Sequence, residues 1–599
     1  MEYRKEKLSL FMICDIKKII AEALYNIIKK TTGETRQDNL SKEEIAGMIE
    51  YPPDINMGDL AFPCFRLSKI FRKSPNVIAE TIAGEFTRDV EDAVPYNKIK
   101  NISCAGGYIN FTLNDKYYIQ NILNDIFEQK DKYGSSNIGD GKTAVIDYSS
   151  PNMSKPLGVA HMRPTNIGNS IKKIHQFCGY KMIAINYIGD WGTPQGKILA
   201  AYKLWCNDMT EIEEKGVYKL LDLYVNFGVE AEKDERLNDM ARSWFVKLEQ
   251  GDEEAVGLWK KFMGISVAEI KRIYNIMGIE FDSYDGESFF EDKMDAVVEE
   301  LKEKNILKLD QGAQIVDLSE YNMPPCLILK TDGATLYPTR DIASAIYRKK
   351  TYNFDKNIYV NDMRQNLHFA QWIKVTELMG YDWANNCINI PFGLMNFGGQ
   401  VMATRKGNTQ LLDDLLKMAV EKVETIMEEK NPGDETLSKE EKKEIAKKVG
   451  IGAVMFGDLV NSRIKDVNFN WEEALNFNGN SGPYVQYTYA RACSVLEKND
   501  TDIDYKNIVI TNNLEREIIK LLSQLPEKVL IAEREYEPSV ICRYLLDICA
   551  VFNRFYHDCS ILKAESAEIK NSRLALCEAV KYAIGNGLWL IGLEKTNKV

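Results

Sequence analysis

The chain has no C-x-x-C pair among its 12 cysteines and only four histidines in 599 residues. His175 lies near Cys178 and His557 near Cys559, but neither pair sits beside the second ligand pair that a closed zinc site needs, so no metal site is expected. Scattered thiols in a chain of this length read as reduced core residues and exclude a disulfide frame. Positive charge is also in deficit. A formal net charge of −12 excludes indiscriminate coating of nucleic acid by phosphate neutralisation. It leaves open the selective recognition of a folded RNA by local basic and aromatic surfaces. Long apolar runs are missing too. The most apolar late segment, Leu574 to Leu593, is broken by Glu578, Lys581 and Asn586, short of the ~20 apolar residues of a membrane span. The opening MEYRKEKLSLFMICDIKKII has no uninterrupted apolar core and no small-residue cleavage site, so no secretory signal is read. These absences together predict a cytoplasmic protein with no membrane partner.

What is present is enough apolar matter, 45% of residues, to fill several cores. Domains of roughly 100 to 200 residues predict three or four units. Residues 1–135 combine helical patterns with a strand-like GYINFTL at Gly107 to Leu113, and GSSNIGDG at Gly134 to Gly141 reads as a linker. A strand over Thr143 to Tyr148, a proline-containing loop, a helix from about Thr165 to Cys178 and a strand over Met182 to Tyr187 form a β-α-β unit. Residues 205–310 read as a charged helical insertion, followed by apolar runs at Ala313 to Val316 and Cys326 to Leu329. The charge run Lys430 to Lys448 mixes acids and bases and reads as a solvated helix face. From Gly450 onward the pattern is almost purely helical, with no strand alternation of any length. No internal repeat or low-complexity tract is found.

Strand, loop and helix in succession place phosphates at a helix N-terminus on an open parallel sheet, and His161 falls at that point. The loop reads SSPNMSKPLGVAHMRPTNIG from Ser149 to Gly168. Further distinctive stretches follow in order: NYIGDWGTPQGKI from Asn186, LKTDGATLYPTRDIASAIYR from Leu329, YVNDMRQNLHFAQW from Tyr359, VMATRKGN from Val401 and SGPYVQYTYAR from Ser481. The first resembles the H-I-G-H region of class I aminoacyl-tRNA synthetases. All of them, over essentially the full chain, are similar to the arginyl-tRNA synthetase family.

The resemblance implies an α/β fold: a Rossmann-type catalytic domain at 140–405 with an insertion at about 205–310, an N-terminal α+β domain at 1–135 that meets the tRNA elbow, a connecting helical region at 406–470, and an all-α, DALR-type anticodon-binding bundle at 471–599. It implies an arginine–tRNA ligase that uses ATP with Mg2+ to form arginyl-adenylate and then charges tRNA(Arg). A monomer is expected. Taken alone, Tyr337 and Asp341, four apart and on one face of a helix, are more often a surface hydrogen bond than a ligand site, although they could accept a forked guanidinium. The resemblance makes them arginine-pocket residues together with Gln365, with Ser150 and Asn152 holding the substrate's amino end.

Two motifs handle phosphate in this family, and both are altered here. The H-I-G-H positions read Gly158, Val159, Ala160 and His161, so the second histidine is kept while the first is glycine and the glycine has gained a methyl. K-M-S-K-S is represented by Val401, Met402, Ala403, Thr404 and Arg405, flanked by Gly398, Gly399 and Gly407, which permit loop closure. By the resemblance, Gly158, Ala160, His161, Met402, Thr404 and Arg405 contact ATP, and His161, Lys155 and Arg405 stabilise phosphate charge, Lys155 standing in for a signature lysine. Pro194 and Gln195 in GDWGTPQG, and Pro164, depart from the family's usual residues; a proline in a first helical turn is acceptable. Tyr484, Tyr487 and Arg491 fall at i, i+3 and i+7, an aromatic stripe that is usually core; the resemblance makes these residues, with Tyr556, contacts for splayed anticodon bases. The alternative reading is a weakly active or inactive paralogue that binds arginine or tRNA in a regulatory or inhibitor-resistance role. It rests on the altered nucleotide-facing positions beside a complete arginine pocket.

Overall fold

The computed structural model describes residues 12–32, 40–89, 98–397, 411–430 and 437–598. Near the N-terminus a helix, Met12–Thr32, buries Ile16, Ile20, Leu24 and Ile27, an i, i+4, i+8, i+11 stripe. It accompanies a three-stranded antiparallel sheet in the order β1 (Leu60–Pro63), β3 (Tyr108–Leu113), β2 (Ile99–Ala105).

The centre of the molecule is a four-stranded parallel sheet ordered β10-β9-β4-β5: Cys387–Phe392, Lys356–Asp362, Thr143–Asp147 and Lys181–Ile185. In β4 the residues Ala144, Val145 and Ile146 are all buried, as a strand covered on both faces requires. Alternation divides them between two cores. Ala144 and Ile146 join the larger cluster, which contains Ile167 and Ile171 of helix α1 (Met162–Phe177), while Val145 joins the cluster on the other face. The chain leaves β4 toward β5 on one side and returns to β9 on the other, so the order reverses at β4. Ligands bind at the carboxyl edge of such a sheet, at that switch point.

Between β5 and β9 lies the insertion. Helices Thr193–Trp205, α2 (Val217–Ala231), Arg236–Glu249 and Glu253–Ile276 share a core of their own, built on Leu199, Leu220, Phe227, Trp244 and Phe262. The apolar runs after it form β7 (Ala313–Val316) and β8 (Cys326–Leu329), which pair with β6 (Leu307–Asp310) in a separate antiparallel sheet. Helix α3 (Tyr337–Tyr352) leads into β9, and α4 (Asn366–Leu378) follows it.

The C-terminal part is helical: α5 (Lys439–Leu459), α6 (Gly482–Glu497), Asn513–Leu522, Leu525–Glu535, α7 (Ser539–Asp558) and Ala567–Leu590. One short strand departs from the almost purely helical pattern read from the sequence. Val467–Phe469 forms β12, parallel to β11 (Met395–Phe397), and three residues are too few to show alternation. A correction concerns α1, which starts at Met162 and not near Thr165, because a 3-10 turn over Val159–His161 feeds the chain into helical geometry before Pro164 is reached. The N-terminal unit packs on the helical part through Arg516 with Asp59 at 2.9 Å, Lys17 with Glu527 at 2.8 Å, and the Tyr133 hydroxyl, which donates to the Leu522 carbonyl at 2.9 Å. No helix among the described residues is long and apolar enough to cross a membrane.

Candidate active site

After β4 the chain turns through Ser149, Ser150 and Ser154, all with left-handed backbone (φ 72°, 45° and 62°). Such geometry costs about 1–3 kcal/mol per residue and persists only where the surroundings impose it. Here they do. Ser149 Oγ lies 2.6 Å from both the Tyr274 hydroxyl and Thr165 Oγ1, Ser150 Oγ donates to Asp147 Oδ1 at 2.9 Å, and the Ser154 N–H donates to Ser266 Oγ at 3.2 Å. Gly168 lets α1 lie against the loop, since a Cβ there would fall 2.3 Å from the Tyr148 ring.

The loop forms one wall of a cleft of about 650 Å³ at the carboxyl edge of the sheet. Ser150 and Asn152 line it from β4, Tyr187 and Gly189 from β5, Asn361, Asp362, Arg364 and Gln365 from the end of β9, and Phe392 from β10. Asn152 bridges to Gly189, where a Cβ would meet its side-chain oxygen at 2.3 Å.

One set of lining residues is acidic. Tyr337, 64% exposed, opens α3 and Asp341 follows one turn later on the same face. His368 of α4 donates from Nε2 to Asp341 Oδ2 at 2.6 Å. Gln365 precedes α4 and lines the cleft, as does Glu287, whose carboxyl is pushed up to about 7 by burial, against the pull of Arg340 at 3.5 Å, with Asp190 and Asp341 adding repulsion. Asp147 is paired with Arg348 at 2.6 Å, and the guanidinium lies between Tyr187 and Tyr359, 5.7 and 5.2 Å from their ring centres. Sequence reasoning missed Glu287, His368, Asp147 and Arg348. Their roles depend on contacts between distant segments, and only the buried end of an apolar strand, at Asp147, offered a local signal.

The other set surrounds the N-terminus of α1. Ala160 and His161 line the cleft. His161 Nδ1 lies 3.1 Å from the Gly158 nitrogen and 3.2 Å from its carbonyl oxygen, so either tautomer ties the ring to the loop backbone. Burial first, then the charge of Lys155, lowers the His161 pKa, outweighing the Gly158 backbone contact, so the neutral imidazole is favoured. Two expected ATP-facing residues do not reach the cleft wall. Gly158 is buried and bridges backbone to backbone with Leu411, which turns it inward while Ala160, two residues on, is exposed. Lys155 holds its ammonium 4.0 Å from the Tyr224 ring centre on insertion helix α2, where cation–π attraction offsets its withdrawal from the cleft. Met402, Thr404 and Arg405 lie outside the described residues, as do the glycines that flank them.

A second constellation sits on the helical part. Arg491 of α6 lies between two exposed rings, 4.8 Å from the centre of Tyr487 and 4.7 Å from that of Tyr556 on α7. Its Nη1 also donates to the Asn553 side chain, and Asn553 Nδ2 donates to Thr488 Oγ1 at 2.9 Å. Tyr487 and Tyr556 remain 36% and 43% exposed, while Tyr484 is half-buried against the core. The stripe read from α6 is therefore completed by a ring from another helix.

A parallel sheet reversing at β4, with His161 at the first turn of the following helix, is the arrangement of a class I tRNA synthetase catalytic domain, and residues 122–471 match the family model "tRNA synthetases class I (R), catalytic domain". Residues 15–113 match the arginyl tRNA synthetase N terminal domain and residues 485–599 the DALR anticodon binding domain. The chain belongs to the arginyl-tRNA synthetase family. It is 50% identical over 567 residues to the arginine–tRNA ligase of Alkaliphilus metalliredigens, covering 94% of this chain and 98% of that one. It is 46% identical over 566 residues to the arginine–tRNA ligase of Clostridioides difficile, covering 94% and 97%. Its fold matches the Thermus thermophilus arginyl-tRNA synthetase with a TM-score of 0.80 at 22% identity, covering 98% of this chain and all of that one. Nothing in these likenesses favours the inactive-paralogue reading.

Proposed function

We propose that the cleft is where this ATP-dependent arginine–tRNA ligase joins arginine to AMP, and that the Arg491 patch holds the anticodon of its tRNA. The arginine guanidinium enters between Tyr337, Asp341 and Gln365, with Glu287 adding a second carboxylate, because a fork of five donors is matched by acceptors held on rigid elements. Ser150 and Asn152 hold the amino end. The substrate carboxylate attacks the α-phosphorus of ATP, forming the acyl-phosphate bond as the bond to pyrophosphate breaks. Charge on the α-phosphate oxygens grows as this happens, and the His161 imidazole donates to it from the wall of the cleft. Arg405 supplies a cation to the departing pyrophosphate, and Lys155 joins it only by leaving the Tyr224 ring, with Mg2+ arriving on ATP. A hydroxyl of the terminal ribose of tRNA(Arg) then takes the arginyl group and AMP leaves.

Residues 1–135 contact the tRNA elbow, the connecting region at 406–470 joins the catalytic domain to the bundle at 471–599, and the protein works as a cytoplasmic monomer. The observation that carries the reading is one cleft, lined by Tyr337 and Asp341 on α3 and by His161 at the first turn of α1. His161→Ala tests it. Loss of one transition-state donor lowers kcat for charging by about 10²- to 10³-fold while KM for arginine stays within a few-fold. An unchanged kcat would remove His161 from the chemistry.

A further inference from the structure

Asp190, in the GDWG stretch after β5, is a buried carboxylate that stays behind the cleft wall. Both of its oxygens are taken by one residue. The Ser288 N–H donates to Oδ1 at 2.9 Å, and Ser288 Oγ donates to Oδ2 at 2.5 Å. The neighbouring backbone reinforces the grip: the Glu287 N–H donates to the Ile188 carbonyl at 3.0 Å, and the backbone N–H of Trp191 stabilises the Glu287 carboxylate. Gly286 permits so close an approach, since a Cβ there would fall 2.4 Å from the Ile188 carbonyl oxygen and 2.6 Å from Asp190 Oδ1. The stretch is itself held by the insertion. Trp259 Nε1 donates to the Asp190 carbonyl at 3.0 Å, and the Trp191 ring packs edge-on against Trp259 and Phe245.

Glu287 opens a 3-10 turn, Glu287–Lys293, that belongs to the insertion and reaches the cleft. Such a turn has poor hydrogen-bond geometry of its own and keeps its place through outside partners. On one side those partners are on α3: the rings of Phe289 and Phe290 lie 5.0 and 5.7 Å from that of Tyr347, and Arg340 stands 3.5 Å from Glu287 and 2.7 Å from Glu291. These contacts fix side chains. Ile188 and Asp190 grip the backbone at Glu287 and Ser288 instead, and so set where the Glu287 carboxylate begins.

We propose that Asp190 is a positioning residue for substrate selection: by holding Ser288 it fixes Glu287 at the wall of the cleft, where that carboxylate meets the arginine guanidinium. The GDWG stretch then serves the amino-acid pocket without touching the amino acid. This rests on the reading that Glu287 supplies the second carboxylate of that pocket. A forked guanidinium is matched only by acceptors held to within about 0.5 Å, and groups are held so closely only where their supports are themselves locked.

The test compares Asp190→Ala with Asp190→Asn in the full chain, alone and combined with Glu287→Ala, measuring kcat for charging, KM for arginine, KM for ATP and the melting temperature. Asp190→Ala is expected to raise KM for arginine by about 5- to 50-fold, part of what a hydrogen bond to a charged group contributes, with kcat and KM for ATP changed by less than about 3-fold. Asp190→Asn recovers most of the affinity, because its amide still accepts from the Ser288 N–H and donates to the rotatable hydroxyl. In the Glu287→Ala protein, Asp190→Ala adds less than about 2-fold, the non-additivity of two residues acting as one. Should Asp190→Ala fail to fold, Ser288→Ala, which removes only the hydroxyl contact, takes its place in the same cycle. An unchanged KM for arginine, a parallel rise in KM for ATP, or additive effects beside a large effect of Glu287→Ala overturns the positioning role alone. If Glu287→Ala by itself leaves KM for arginine unchanged, Glu287 is no pocket residue, which refutes the underlying reading and the role of Asp190 with it.

Discussion

His368 Nε2 lies 2.6 Å from Oδ2 of Asp341, so the carboxylate that faces the cleft from α3 is oriented by an imidazole on α4 before any substrate arrives. Hydrogen bonds to charged groups contribute about 1.5–3 kcal/mol, and this one restrains the carboxylate rather than contacting the ligand directly. His368→Ala is expected to raise KM for arginine by about 10- to 100-fold and His368→Gln by less, with tRNA KM unaffected. Steady-state charging at varied arginine measures it; equal effects on both KM values would place His368 elsewhere in the mechanism.

Glu287 predicts a pH dependence. Burial and neighbouring acids hold its pKa at about 7 in the empty cleft, so the group is increasingly protonated below that pH. An arginine guanidinium selects the ionised form, and binding below pH 7 must therefore expel a proton. Affinity for arginine should rise with pH through about 7 and level off above it. Glu287→Gln should flatten the profile and weaken binding at pH 8. Calorimetry in buffers of different ionisation enthalpy reads the proton directly; a profile that is flat between pH 6 and 8 in the unmodified protein contradicts the assignment.

The Arg491 patch predicts a different phenotype. Base stacking on an aromatic side chain is worth about 1–3 kcal/mol, so Tyr487→Ala should raise KM for tRNA by about 5- to 150-fold and leave arginine KM alone. Arg491→Lys should also weaken tRNA binding, because a compact ammonium cannot stack between two rings as a planar guanidinium does. Filter binding with purified tRNA(Arg) tests both.

Much of this was legible in the sequence, and the limits have physical causes. Thr143 to Cys178 declares a strand, loop and helix, and Tyr337 and Asp341 share a face because i and i+4 do so on any helix. The partners of those residues are invisible locally. Asp341 with His368, Arg348 with Asp147, and Tyr556 with Arg491 join segments that only the fold brings together. Lys155 makes the same point, for no spacing rule says that its ammonium sits over Tyr224 of an inserted helix. β12 escaped because its three residues owe their strand geometry to β11, not to their own pattern.

Arg516 gives a stability prediction at the boundary between the N-terminal unit and the helical domain. It pairs with Asp59, which is 1% exposed and also accepts from the Leu113 N–H at 2.7 Å. Arg516→Met leaves a buried carboxylate without its cation, a change that costs about 3–5 kcal/mol where the pair is fully buried, and less here because Arg516 is partly exposed. Urea unfolding followed by circular dichroism should show an earlier first transition, and an unaltered curve would mean that the contact adds nothing.

A site with His161 alone of the two signature histidines, and Ala160 in place of glycine, is expected still to activate arginine. Charging of total tRNA by the purified chain with labelled arginine, ATP and magnesium, beside a Gly158→His, Ala160→Gly double variant, tests it most directly. Robust charging by the unmodified chain is expected. Binding of arginine and tRNA without charging, restored by the double variant, would contradict it.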